Sequence, residues 1–168
     1  MDVSESRSLA GGAVLRWARP GDEDGILDCI RGLAEYEKVP DAVQTTAQDL
    51  HQVLFGADPS VFAHVVEKGG QVVAIALWFL NYSTWTGHGI YLEDLFVRED
   101  ERRYGYGRAL MKALAEVCVQ RGYRRFEWAV LDWNEPSIRF YRSIGAVGLD
   151  DWKVQRLSGD ALTRLATS

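Results

Sequence analysis

The chain is poor in the residues that build metal centres, disulfide frameworks and membrane spans. It has only two cysteines, Cys29 and Cys118, far apart in 168 residues, and its three histidines, His51, His64 and His88, lack metal-ligand spacing. That argues against a zinc site or any other metal centre, and against a disulfide scaffold. Neither cysteine has a neighbouring His or Asp signature, so a thiol nucleophile is disfavoured too. Both fall on apolar stripes of predicted helices and are expected in the core. No stretch approaches the ~20 apolar residues of a membrane-spanning helix. Met1 to Gly12 is polar and has no hydrophobic signal core, so a cytoplasmic address and no membrane partner are expected. Basic charge is also in deficit, with 19 Lys and Arg against 24 Asp and Glu. The net charge of −5 speaks against nucleic acid as a partner and agrees with a cationic small substrate.

What is present is ordinary for a globular protein: 47% hydrophobic and 26% charged residues, enough for one domain burying roughly 70% of its unfolded surface. We expect a flexible tail over residues 1–12 and one domain over 13–168. Ala13–Arg19 reads as a strand stopped by Pro20-Gly21. Asp22 is a candidate N-cap for a helix carrying Ile26, Ile30 and Leu33 at helical spacing and running to about Lys38, before Pro40. A second helix starts near Thr46. Val61–Glu67 and Val72–Leu80 read as strands joined by a Lys68-Gly69-Gly70-Gln71 hairpin turn. Gly89–Val97 is a further strand, Arg108–Arg121 a helix stopped by Gly122, and Phe126–Leu131 a strand. Pro136–Ile144 is a short helix, and Trp152–Arg156 a last strand. This order indicates an α/β fold around a mixed sheet. Most tryptophans are expected as core or groove walls, with Trp85 near substrate.

Three runs carry chemistry. Arg102-Arg103-Tyr104-Gly105-Tyr106-Gly107 is a glycine-bearing turn opening an amphipathic helix. Free N–H groups and the positive end of the dipole there make an anion site. The turn lacks Gly-Lys-Ser/Thr, and Leu110 stands where a Rossmann fingerprint needs its third glycine. Glu93 lies in Tyr91-Leu92-Glu93-Asp94-Leu95-Phe96-Val97, and Tyr141 ends Asn134-Glu135-Pro136-Ser137-Ile138-Arg139-Phe140-Tyr141. A carboxylate able to take a proton, a phosphate nest and a phenol able to return a proton suit acyl transfer from a phosphate-bearing cofactor.

The turn and the element order resemble the GNAT superfamily of N-acetyltransferases. Leu33–Lys38, Tyr91–Asp94 and Asp132–Ile138 look like the spermidine/spermine acetyltransferase family and its thialysine acetyltransferase relatives. The resemblance implies a single GNAT domain with a mixed, mostly antiparallel sheet flanked by helices, and acetyl-CoA as co-substrate. It also implies a homodimer. Leu95, Phe96 and Val97 are then expected to pair with the pantetheine arm through their backbone. Arg102, Arg103, Tyr104, Gly105, Tyr106, Gly107 and Arg108 would cradle the phosphates. Asn134, Glu135, Pro136 and Ser137 would line the same groove, with Tyr141 at it. Glu93 matches the family's proton acceptor and Tyr141 its general acid. Tyr36, Glu37, Ser83, Trp85, Glu93 and Asp94 are the implied amine-binding residues. The polyamine enzymes carry an Asp within Tyr-Asp-Pro-Trp, whereas this chain has Tyr82-Ser83-Thr84-Trp85, which looks like the thialysine branch. Asn134-Glu135-Pro136-Ser137 looks like the polyamine branch.

The expected activity is therefore acetylation of a primary amine on a small molecule, thialysine- or lysine-like or a diamine or polyamine. Acetylation of a protein or peptide, and silent acyl-CoA binding, are the alternatives.

Overall fold

Alternation along Phe62–Lys68 and Gln71–Ser83 turns successive side chains to opposite sides of a sheet, and the chain packs helices on both. The computed structural model describes residues 6–168. These divide into a first unit ending at Ala129 and a second spanning Val130–Ser168. In the first, β1 (Arg7–Ser8) and β2 (Val14–Trp17) precede α1 (Glu23–Tyr36) and α2 (Ala47–Phe55). Then come β3 (Phe62–Lys68), β4 (Gln71–Ser83), β5 (Gly87–Val97), α3 (Tyr106–Arg121) and β6 (Arg125–Trp128). The strands lie side by side in the order β1-β2-β3-β4-β5-β6. Every neighbouring pair is antiparallel except β5 and β6, which run parallel. This is the mixed, mostly antiparallel sheet expected. Arg7 and Ser8, within the stretch expected as tail, pair with Leu15 and Val14; residues 1–5 lie outside the described residues.

Local chemistry explains the boundaries. Gly69 and Gly70, at φ 58° and 80°, supply the two positive angles that a tight hairpin between β3 and β4 demands. Thr46 and Asp49 form a reciprocal capping box at the start of α2. Asp22 holds the N-cap position of α1 but makes no capping bond with its side chain. Its carboxylate instead accepts from the Arg16 guanidinium at 2.7 and 2.8 Å and from the Arg19 N–H at 2.8 Å. A charge-assisted pair outcompetes a neutral cap. α1 ends at Tyr36, short of Lys38, which adopts φ 65°.

One face of the sheet holds a core of Ile26, Leu27 and Cys29 from α1 and Leu50 and Leu54 from α2, packed on Ala63, Val65, Val72, Ile75 and Leu77. α3 contacts β3, β4, β5 and β6, burying Leu110, Met111, Leu114, Val117 and Cys118. Both cysteines are buried and free, as expected. Fully buried His64 accepts from Trp78 Nε1 at 3.2 Å and lies 4.3 Å from the Trp17 ring. No described helix is long and apolar enough to cross a membrane.

The second unit carries α4 (Glu135–Ser143) and α5 (Gly159–Thr167). α4 starts where expected, and the Asn134 side chain accepts from the Ser137 N–H at 3.3 Å. The strand expected at Trp152–Arg156 is absent. Its apolar alternation is that of a strand, but a strand needs a neighbouring edge; this stretch pairs with none among the described residues, and Trp152 and Val154 are exposed. α5 was not anticipated, although Ser158 before Asp160, with Leu162 and Leu165 one turn apart, is a readable helix start. β6 stops at Trp128 rather than Leu131.

Candidate functional site

The centre of the candidate site is an irregularity in β5. Trp78 pairs with Leu92, but its predecessor Leu77 pairs with Asp94, so Glu93 is an extra residue in the ladder. Such a bulge re-aims the side chains around it. Glu93 is exposed and Asp94 half-buried. Asp94 shares a face with Leu77, the face covered by α1, and its carboxyl is pushed up to about 6 by burial and by the neighbouring charges of Glu93 and Glu37. Burial also raises Glu37. Three carboxylates, from the end of α1 and the bulge, thus gather at one place. Such a group attracts a cationic amine and resists sharing its charge with another anion.

The same point ends the parallel ladder. β6 accompanies β5 only over Gly89–Leu92, so from Glu93 to Val97 the outer edge of β5 has no strand partner among the described residues. Outward backbone groups there can pair with an extended ligand, except that the Val97 carbonyl already accepts from Arg102 Nε at 3.3 Å. Phe96 faces α1, where Gly32 lets the helix lie against its ring.

Next along the chain is the turn. Arg103 and Gly105 adopt φ 80° and 79°, and α3 begins at Tyr106 behind an αL Gly105. The first helical bond runs from the Ala109 N–H to the Gly105 carbonyl at 3.0 Å. The preceding N–H groups of the first turn therefore lack helical acceptors, which makes an anion cradle. Tyr104 is exposed, stacked on Tyr106 at 5.5 Å and beneath Lys68 Nζ at 4.7 Å. Tyr106 itself is buried and donates its hydroxyl to the Ala10 carbonyl at 2.9 Å. Only its main chain is left for a ligand. Arg102 is exposed, with its guanidinium 5.3 Å from the Tyr36 ring, so the turn and the end of α1 adjoin.

The other expected site residues lie in two further segments of the chain. Ser83 Oγ accepts from the N–H groups of Trp85 and Thr86 at 3.1 and 3.3 Å, holding the β4–β5 hairpin. It stands six residues beyond Leu77, the partner of Asp94, about 20 Å along the strand. Trp85 in the same hairpin is 84% exposed. In the second unit, Asn134 is buried, Glu135 and Pro136 are exposed, and Ser137 and Tyr141 are half-buried on α4. Glu135 pairs loosely with Arg139 at 3.8 Å, and the Phe140 and Tyr141 rings are 5.3 Å apart. Among the described residues no group of three or more His, Cys, Asp or Glu side chains could hold a metal ion.

Sequence reasoning missed a polar group on the α1 face of the sheet. Glu127 lies opposite Tyr91 and Arg125 opposite Gly89, while Asn81 pairs with Gly89 from the other side. Arg125 and Glu127 alternate within one strand, and that opposite-charge spacing was the available signal.

Comparison with known proteins places the chain in a family and a fold. Residues 28–146 match the Acetyltransferase (GNAT) family. The chain is 38% identical over 164 residues to a thialysine N-epsilon-acetyltransferase of Sus scrofa, covering 91% of this chain and 96% of that protein. It is 31% identical over 162 residues to a human spermidine/spermine N(1)-acetyltransferase-like protein 1, covering 90% of this chain and 23% of that longer protein. An integron cassette protein from the mobile metagenome of V. cholerae has the same fold, with a TM-score of 0.75, 24% identity, and coverage of 93% of this chain and 98% of its own.

Proposed function

This chain belongs to the acetyltransferase (GNAT) family, and on that premise we propose that it transfers the acetyl group of acetyl-CoA directly to a primary amine of a small molecule. The amine is lysine- or thialysine-like, or a diamine or polyamine. Residues 13–168 form the acetyltransferase domain in this reading, and the working form is a homodimer. Glu93 is the proton acceptor and Tyr141 the general acid. The observation that carries the reading is the bulge at Glu93, where carboxylates cluster and the edge of β5 becomes free.

The residues present fit the co-substrate. The unpaired edge Leu95–Val97 suits an extended amide-bearing arm, and the first turn of α3 suits its phosphates, with Arg102, Arg103 and Arg108 beside it. Asn134, Glu135, Pro136 and Ser137 bind the same co-substrate in this proposal. Bound acetyl-CoA supplies the acetyl thioester; the chain's residues do the rest. A primary alkyl amine has a pKa near ~10.4, so at neutral pH it arrives as an ammonium. Glu37, Asp94 and Glu93 attract that cation. Glu93, directly or through one water, takes its proton and leaves a nucleophilic nitrogen. An N–H on the β5 edge holds the negative charge that develops on the carbonyl oxygen. As the nitrogen–carbon bond forms and the carbon–sulfur bond breaks, Tyr141 gives its proton to the departing sulfur, and the second proton that the new amide nitrogen sheds restores the phenol. That thiol has a pKa of about 8.5 by analogy with cysteine, against about 10 for the phenol.

The test is thiol release from acetyl-CoA against a panel of small amines and peptides. Turnover on small amines supports the proposal. Turnover on peptides alone would make the protein a protein acetyltransferase, and acetyl-CoA binding without turnover would make it a binding module.

A further inference from the structure

The chain ahead of β2 doubles back and lies over the opening of α3, and the mechanism above leaves it unused. Arg7 and Ser8 pair with Leu15 and Val14, and Gly11 and Gly12 turn the chain between them at φ 70° and 75°. Two bonds fasten this segment to α3. Arg7 Nη2 donates to Glu116 Oε2 at 2.8 Å, beyond the middle of the helix. The hydroxyl of Tyr106, the first residue of the helix, donates to the Ala10 carbonyl at 2.9 Å.

The main chain of the proposed phosphate cradle has little else to hold it. A β-carbon on Gly105 would meet no described atom within 4 Å, and one on Gly107 would make ordinary contact with Val97 Cγ2 at 3.8 Å. Two residues without side chains thus flank Tyr106, and glycine leaves the backbone most free to change shape. Tyr106, 1% exposed, is the peg between them. The Tyr104 ring lies on it at 5.5 Å, with 17° between the planes. A β-carbon on Gly11 would come within 3.2 Å of the Tyr106 hydroxyl and 3.3 Å of Tyr104 Cε1, so the segment rests directly on both rings.

We propose that the Tyr106 side chain is a positioning residue for the co-substrate, and that residues 7–12 are the brace it works against. Its hydroxyl, held by the Ala10 carbonyl, pins the main chain of residues 105–107 in the shape that receives phosphates. The proposal rests on the reading above that the first turn of α3 holds the phosphates of acetyl-CoA. It does not depend on which amine is acetylated.

The physical reason is preorganisation. An anion is held well only when several backbone N–H groups aim at one point together. A turn that samples other shapes binds in proportion to the fraction correctly formed. The phenol touches no phosphate in this arrangement; it acts through the chain it fixes. Burial of the ring supplies packing, and the bond to Ala10 supplies direction, so the two contributions are separable. Phenylalanine at this position keeps the first and removes the second.

The experiment measures the dissociation constants of the full chain for acetyl-CoA and for S-acetylpantetheine, which has the same thioester and arm but no pyrophosphate or nucleotide. Tyr106→Phe is expected to lower the preference for acetyl-CoA about 3- to 10-fold, the worth of one hydrogen bond. Gly11→Val, strained at its positive φ and crowding the hydroxyl, is expected to lower it by a similar factor. The double variant loses no more than either alone, because both changes break one bond. An unchanged preference in Tyr106→Phe overturns this inference and leaves the acetyltransferase reading intact. So does an equal weakening of both ligands, which marks a general loosening of the fold, and so do losses that multiply in the double variant. A wild-type chain that binds acetyl-CoA no more tightly than S-acetylpantetheine has no phosphate cradle, and this inference then falls with that reading.

Discussion

A β-carbon added at Gly32 would lie 2.7 Å from Cζ of Phe96 and 2.9 Å from its Cε1. The glycine is what lets α1 settle on β5 beside the strand edge proposed to hold the pantetheine arm. Gly32→Ala gains up to about 1 kcal/mol of helix propensity but overpacks this contact, which costs about 1–3 kcal/mol. The ring is packed between helix and sheet, so the loss prevails. Urea denaturation is expected to show a variant up to about 2 kcal/mol less stable; a more stable one would mean that the ring moves aside freely.

Asp94 has a folded-state pKa of about 6, above the usual ~3.9. The folded chain therefore holds this proton more tightly than the unfolded chain does. Stability is expected to fall as pH rises from about 4 to 6 and to stay at the lower level above that. Asp94→Asn removes this cost, gaining up to about 3 kcal/mol at neutral pH and nothing near pH 3. Unfolding curves at pH 4 and pH 7.5 measure the difference, and equal gains at both would remove ionisation as the cause.

His64 has the opposite sign. Burial lowers its imidazole from the usual value to about 3, so the unfolded chain takes up the proton first. Its contribution is complete above about pH 6.5 and is lost as pH falls toward 3, the loss reaching about 2 kcal/mol at pH 5. His64→Gln is expected to flatten this part of the stability profile. An unchanged slope would show that other groups govern acid unfolding.

For catalysis, Glu93→Gln is expected to lower kcat/KM about 100-fold at neutral pH. The deficit should narrow as pH nears the amine's own pKa, where the free base forms unaided. A pH-independent deficit would assign Glu93 to binding instead. Tyr141→Phe is expected to lower kcat by a similar factor while the acetyl-CoA Kd stays within twofold. Undiminished turnover would remove the phenol as proton source.

Much of this was legible in the chain itself. The capping pair Thr46 and Asp49, the Gly69-Gly70 turn and the glycine-bearing start of α3 depend on neighbours in sequence, and each formed where local chemistry put it. The carboxylates near Glu93 were visible as residues, but their convergence was not. It needs the end of α1 brought against β5, a contact between distant segments. Trp152–Arg156 shows the converse error, because alternation states a preference for a strand and cannot supply the edge that completes one.

The sequence by itself determined most element types, the apolar faces and the chemical groups available, because propensity, capping and periodicity act over a few residues. Only the tertiary structure decided that Glu93 is an extra residue in its ladder and that Asp22 serves Arg16 instead of its own helix. The same holds for Arg125 and Glu127 beside Tyr91. Register, bulges and desolvation arise from pairing and burial between remote segments, and no local pattern of residues encodes them.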